Sequence, residues 1–396
     1  MKPSTSQVST PVRSTMLSYG QQWIDEQDIA SVVEVLKGSY LTQGPRIADF
    51  ERAVAEEAGA RYAVAFSSGT AALHGAAFAA GIGLGDEAIT TPITFAASSN
   101  CVLYQRGTPV FADIRPDTYN IDPEDIERKL TSRTKAIIPV DYTGQPADMD
   151  AIRALADKRG LVVIEDAAHS LGATYKNRKV GTLADMTMFS FHPLKHVTTA
   201  EGGVIVTDHH EYYKKLELFR SHGITKDPEM LLTDEGPWYY EMHELGYHYR
   251  MTDLHAALGL SQMAKLHSFV ERRREIASIY NEAFSDLPGI VRPYQHPDTN
   301  SSWHLYMIRL EFSEFSVGRR RWFEALRAEN IGVHVHYIPV YKLPYYQKLG
   351  YKAGLCPIAE QYYESAITLP LFPKMSNQDV QDVIHAVKKI HAAYKY

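Results

Sequence analysis

Cysteine is nearly absent. Cys101 and Cys356 are the only two in 396 residues, too few for a disulfide framework or a cysteine-rich zinc site. A reducing, cytoplasmic setting is therefore expected. A basic excess is also missing: 41 Lys and Arg face 47 Asp and Glu, a formal net charge of −6. That balance argues against a nucleic-acid partner. No long apolar run occurs either. Ala63 to Gly85 comes nearest, with no Asp, Glu, Lys or Arg over 23 residues. Most of its apolar residues are alanine, and it holds Ser67, Ser68, Thr70, His74 and five glycines. A bilayer span needs about 20 strongly apolar residues. A strand, a polar turn and a buried helix are predicted instead, and no membrane partner. His209-His210 and the His334/His336 pair lack a third ligand at helical or hairpin spacing, so no metal is expected. Neither a P-loop nor a G-x-S-x-G elbow is found.

What remains has the composition of an ordinary globular chain, 45% hydrophobic and 22% charged. Its length suits two or three domains. Residues 1–15 are rich in Ser, Thr and Pro without an apolar core; they read as unstructured and not as a signal peptide. From Tyr62 to Thr207 short apolar strands alternate with helices. They are Tyr62–Phe66, Glu87–Thr91, Val110–Ala112, Ala136–Val140, Leu161–Ile164, Met186–Ser190 and Gly203–Thr207. Such strands predict a mainly parallel α/β sheet covered on both faces, in a large domain over 16–262. After Asp253 the pattern changes. One long helix is expected over 254–284, broken only by Gly259, with Glu271-Arg272-Arg273-Arg274 as a solvated face. A strand at 303–312, a helix at 317–329, a strand at 332–337 and a helix at 377–394 then predict a small C-terminal α+β domain over 263–396.

Three motifs could carry chemistry. Ser67-Ser68-Gly69-Thr70 follows a strand and opens a helix, where unpaired N–H groups attract phosphate; an ordinary serine N-cap is the structural alternative. Glu165-Asp166-Ala167-Ala168-His169-Ser170 sits at the carboxyl end of a strand, where open α/β sheets bind ligands. Its carboxylate needs a cationic partner such as a pyridinium nitrogen. Ser190-Phe191-His192-Pro193-Leu194-Lys195, followed by Glu201-Gly202-Gly203, places a lysine between two apolar strands. That lysine is either solvated or a Schiff-base former of lowered pKa. Together, in this order, the three match what pyridoxal 5′-phosphate requires. Phe95, after Thr91-Pro92-Ile93-Thr94, either stacks on the ring or packs in the core.

With these motifs, and with Leu245-Gly246-Tyr247-His248-Tyr249-Arg250-Met251, the chain from about Tyr19 onward resembles the DegT/DnrJ/EryC1/StrS family of nucleotide-sugar aminotransferases. The resemblance implies the fold-type I, aspartate-aminotransferase-like architecture. It implies Lys195 as the Schiff-base lysine, Asp166 as the pyridinium partner and His169 as the contact to the ring hydroxyl. Ser68, Gly69, Thr70 and Ser190 match phosphate-binding positions. His248 falls where the family has Asn, reaching the phosphate from the neighbouring subunit, so a homodimer with shared sites is implied.

Leu41-Thr42-Gln43-Gly44, Val140-Asp141-Tyr142-Thr143-Gly144, Phe219-Arg220-Ser221-His222-Gly223 and Val335 to Tyr341 look like one subgroup, that of the pseudaminic acid pathway. It aminates C4 of a UDP-linked 4-keto-6-deoxy-N-acetyl-L-sugar, with glutamate as donor and 2-oxoglutarate as product. In that subgroup the positions matching Tyr19, Ser39, Tyr40, Leu41, Thr42, His336, Tyr337, Ile338 and Pro339 line the sugar-nucleotide site. Perosamine-type and spore-polysaccharide aminotransferases are the alternatives.

Overall fold

The computed structural model describes residues 10–396. Its centre is a sheet of seven strands: β1 (Tyr62–Phe66), β2 (Glu87–Thr90), β3 (Thr108–Phe111), β4 (Thr134–Ile138), β5 (Val162–Asp166), β6 (Met186–Ser190) and β7 (Gly203–Thr207). They lie in the order β1-β7-β6-β5-β4-β2-β3. All neighbours from β6 to β3 are parallel, and β7 runs antiparallel to both β1 and β6. Side chains alternate across a strand, and here both faces are apolar. Ala63, Ala65, Ile137, Val163, Phe189, Val204 and Val206 join one buried core. Their neighbours Val64, Phe66, Ala136, Ile138, Ile164, Met188 and Ile205 join another on the opposite face.

Local signals set the helix ends. The Ser68, Asp122 and Asp148 side chains cap the helices Gly69–Ala79, Pro123–Lys129 and Met149–Arg159 by accepting first-turn N–H groups. Gly160, at φ +64°, ends the last of these and lets β5 begin two residues later.

The small unit is an antiparallel sheet of β8 (Ile290–Val291), β9 (Tyr306–Leu310) and β10 (Ala366–Leu369), in that order. Helices Arg319–Ala328 and Asn377–Tyr394 contribute Trp322, Leu326, Val380, Val383 and Val387 to its core. The helix Leu266–Ala283 ties the two units together. Leu266, Phe269 and Val270 pack in the large core, and Ile276, Ala277 and Tyr280 in the small one.

Four sequence expectations are corrected. The single helix over 254–284 is two, Asp253–Met263 and Leu266–Ala283. The break falls at Ala264–Lys265, where Lys265 pairs with Asp25 and Asp28. Gly259 stays helical and serves close packing: a Cβ there would lie 2.6 Å from the Phe50 ring. The strand expected at 332–337 is only a single bridge between His334 and Thr368, because Gly332 bonds instead to Leu17. Residues 10–15, expected to be unstructured, are fixed to the small unit; residues 1–9 lie outside the described chain. Val12 N donates to Glu329, Arg13 pairs with Asp379 and Asp382, and Leu17 is buried in the small core. Finally, the Glu271–Arg274 run is not a solvated face throughout, since Arg273 is 2% exposed. Among the described residues, no helix is long and apolar enough to cross a membrane.

Candidate active site

The carboxyl ends of β5 and β6 and the start of the helix Gly69–Ala79 open onto a cavity of about 440 Å³. This is the edge where parallel strands deliver functional groups. The helix start is shaped by two glycines. A Cβ on Gly69 would lie 3.3 Å from the Ser190 side chain. One on Gly203 would lie 2.5 Å from Ser68 O and 2.6 Å from Gly69 Cα. β7 can therefore close under the turn, leaving Ser68, Gly69, Thr70 and Ser190 around one helix N-terminus, the polarity that favours an anion.

Asp166 ends β5 and is buried. Ser98 Oγ donates to its Oδ2 at 2.6 Å and Ala168 N to its Oδ1 at 3.1 Å. Burial raises its pKa, and these two donors and the Lys195 charge oppose the rise. Lys195 lies in the loop between β6 and β7 and lines the same cavity. Desolvation lowers its amine to about 8, against the pull of Asp166. A lysine so tuned supplies free amine near neutral pH.

His169 is buried, its ring centroid 4.3 Å from that of His304. Its Nε2 lies 3.3 Å from Tyr337 Oη, and its Nδ1 has no partner. Burial holds it neutral, aided by the nearby Lys195 charge. Phe95, in contrast, is 65% exposed although it lines the cavity, so its face is free to stack on a planar ligand. The opposite wall is a stack of rings. Tyr19 sits 5.2 Å from His334 and 5.6 Å from His336, and the two histidines are 4.6 Å apart. His336 Nδ1 lies 2.8 Å from Thr368 Oγ1, and burial pushes this histidine down to about 3.

Of the sequence-predicted residues, Tyr19, Ser68, Gly69, Thr70, Phe95, Asp166, His169, Ser190, Lys195, His336 and Tyr337 meet in this cavity. Ser39, Tyr40, Leu41, Thr42, His248, Ile338 and Pro339 do not line it. Leu41 O accepts from Asp253 N, and Thr42 bridges to Thr252. That places the 39–42 loop beside the end of the 247–252 segment. His248 is exposed, with its ring 5.5 Å from His222. Sequence reasoning missed Ser98 and His304, and it named His334 and Glu201 without giving them a place in the site. Ser98 carried a signal, one turn beyond Phe95 on the next helix. His304, which lies in none of the motifs, carried none.

A ligand that suits this cavity has a phosphate for the helix start, a flat ring for the free Phe95 face and a basic nitrogen for Asp166. The orphaned His169 Nδ1 and the glycine cradle at 69 and 203 fit such a group as well. The group is pyridoxal 5′-phosphate, and fold and site together define a PLP-dependent sugar aminotransferase of fold type I. The chain belongs to the DegT/DnrJ/EryC1/StrS aminotransferase family, whose profile matches residues 22–388. It is 45% identical over 380 residues to the spore coat polysaccharide biosynthesis protein SpsC of Bacillus subtilis, covering 96% of this chain and 98% of that one. Among solved structures, Helicobacter pylori PseC, an aminotransferase involved in the biosynthesis of pseudoaminic acid, superposes with a TM-score of 0.89 at 35% identity, covering 96% of this chain and all of that one. The PLP form of the putative sugar aminotransferase Spr1654 from Streptococcus pneumoniae gives 0.89 at 31% identity, over 96% and 99% of the two chains.

Proposed function

We propose that this enzyme moves the amino group of glutamate to C4 of a UDP-linked 4-keto-6-deoxy-N-acetyl-L-sugar, as a cytoplasmic homodimer with shared sites. The observation that carries the reading is the Tyr19–His334–His336 stack, set in the same cavity as Lys195 and Asp166. Flat rings and the neutral His336 suit a sugar's faces and hydroxyls better than they suit a second charged amino acid. The likeness to PseC supports the L-sugar series.

When bound, the cofactor supplies an electron sink for removal of a proton beside an amine. Ser68, Gly69, Thr70 and Ser190 would hold its phosphate, Phe95 would lie against its ring, and His169 would orient the ring hydroxyl. Asp166 would keep the ring nitrogen protonated. Lys195 would hold the group through its Nζ. Freed by the donor's amine, that Nζ would take the proton from the donor's Cα in the first half-reaction and give one to C4 of the sugar in the second, the bound cofactor carrying amino group and proton between the two. Ser39 to Thr42 and His248 lie together on a face that also exposes Tyr40, Leu41, Leu245 and Tyr247. We assign that face to the partner subunit, with His248 reaching the neighbour's phosphate and the 39–42 loop its sugar. Ile338 and Pro339 extend the wall beyond Tyr337.

A second reading, amination of a keto sugar for spore or surface polysaccharide, is favoured by the 45% identity to SpsC. Incubation with glutamate and UDP-4-keto sugars of both epimeric series separates the two. The proposal expects at least about a tenfold preference in kcat/KM for the L-series ketone. Equal rates, or a preference for another nucleotide, would favour the second reading.

A further inference from the structure

Arg273, on the helix Leu266–Ala283, is 2% exposed, a rare state for a guanidinium without a carboxylate. Its Nη1 donates to the carbonyls of Trp303, His304 and Leu371 at 3.3, 3.1 and 2.9 Å. Its Nε has no partner. Among the described residues no acidic side chain offsets the burial, which pushes it down to about 9, still cationic at neutral pH. The carbonyls it gathers belong to the back wall of the cavity, where His304, Leu305 and Leu371 are lining residues.

The wall is a demanding piece of backbone. Trp303 has φ +51°, a conformation disfavoured for a bulky side chain. Gly144, at φ +104°, packs so tightly that a Cβ would lie 2.8 Å from both His169 O and Trp303 N. His304 carries the ring that packs on His169. Arg273 thus ties together, from behind, the strap that supports His169 and faces Lys195.

We propose that Arg273 is a positioning residue for Lys195: a buried, carboxylate-free cation that clamps the 303–304 strap and sets its positive charge behind the wall of the cavity that holds the lysine. The inference rests on Lys195 being the cofactor-holding lysine. Arginine suits the task because a buried lysine readily gives up its proton, whereas a guanidinium stays charged. A cation behind this wall adds to burial, which is the larger cause, in disfavouring protonation of Lys195, His196 and His304. Of the other groups in the cavity, Tyr19 and Tyr337 are kept protonated by burial. Asp166 favours the ammonium. His169, His196, His304 and His336 are held neutral by burial. His192 and Glu201 sit at the exposed mouth, and Arg274 bonds to Ser301 O on the strap's outer side.

The test is the pH dependence of Lys195 acetylation by acetic anhydride in the full chain after cofactor removal, read by peptide mass spectrometry. Wild type should show a midpoint near 8. Arg273→Met and Arg273→Gln both remove the charge, but only glutamine can still donate to the strap. Both should raise the midpoint by at least about half a unit, and equally, even where their thermal stabilities differ. The cofactor-loaded proteins should show the same shift in the pH midpoint of their visible absorbance band. Folded variants with an unchanged midpoint, or a shift that follows stability from glutamine to methionine, would overturn the role of the charge. If neither variant folds, a wild-type midpoint in the ordinary lysine range would overturn it as well. Failure to aminate any nucleotide sugar leaves this result untouched, so the two claims fail separately.

Discussion

Ser98 Oγ donates to Asp166 Oδ2 at 2.6 Å, and Thr94 Oγ1 lies 2.7 Å from the same hydroxyl. The carboxylate at the end of β5 is therefore held by a neutral donor from the helix Ala97–Tyr104. Without it, burial would act against the charge with only Ala168 N and Lys195 in opposition.

Asp166→Asn should reduce kcat by roughly two to four orders of magnitude, with a smaller change in KM, because a neutral amide cannot hold the ring nitrogen protonated. Ser98→Ala should cost about ten- to a hundredfold, the value of one hydrogen bond to a charged group. Its sign with pH is fixed. Losing the donor raises the Asp166 pKa, so the acid limb of the rate profile should move to higher pH. Steady-state kinetics from pH 5.5 to 8.5 check both.

Lys195→Ala should abolish transamination and leave the fold intact. The amine is a desolvated group with no salt bridge, so its removal takes away a cost rather than a contact. Circular dichroism and thermal melting of the cofactor-free protein should match wild type. Measurable turnover would remove Lys195 from its role.

An equimolar mixture of Lys195→Ala and His248→Ala chains should regain activity after subunit exchange. Half the dimers are then hybrid, and each hybrid rebuilds one site of two, so about a quarter of the wild-type rate is expected. Mass spectrometry confirms the exchange. No recovery in exchanged dimers would place the whole site within one chain.

Stability should fall on mild acidification, partly through His74. This side chain is 3% exposed among Tyr104, Phe219, Tyr247 and Tyr249, its Nε2 is unpartnered, and burial lowers it to about 4. Above about pH 6.5 both folded and unfolded chains keep it neutral. Between about 6.5 and 4 only the unfolded chain binds the proton, so folding is progressively disfavoured. His74→Phe should flatten the loss of melting temperature over that window relative to wild type. Parallel curves for the two proteins would exclude the contribution.

The sheet and the residues that meet at the centre of the cavity were legible because their signals are local. Apolar strands such as Val64 to Phe66 carry their own alternation, and Ser68, Asp166 and Lys195 sit immediately beyond strand ends. Arg273 was not legible, because in a run of four charged residues the one that turns inward is decided by the packing of a distant strap. Gly259 misled for a related reason: a glycine that makes room for Phe50 looks, in the sequence, like one that ends a helix. β10 went unseen because four residues before Pro370 carry too little pattern. Ser39 to Thr42 and His248 could be named only through family resemblance, and no periodicity or spacing indicated that they lie outside their own chain's cavity.

The loop bearing Lys195 joins β6 to its antiparallel neighbour β7, and Gly203, the first residue of β7, is the one whose missing Cβ lets Ser68 and Gly69 approach. A single ladder, Ser190 against Gly203, thus fixes both the lysine and the anion cup. A chain with β7 out of register would have neither. With Lys195 as the proposed cofactor-holding lysine, covalent retention of the cofactor would be a stringent readout of correct strand pairing: the fraction of molecules that take it up would count those in which β6 and β7 have found each other.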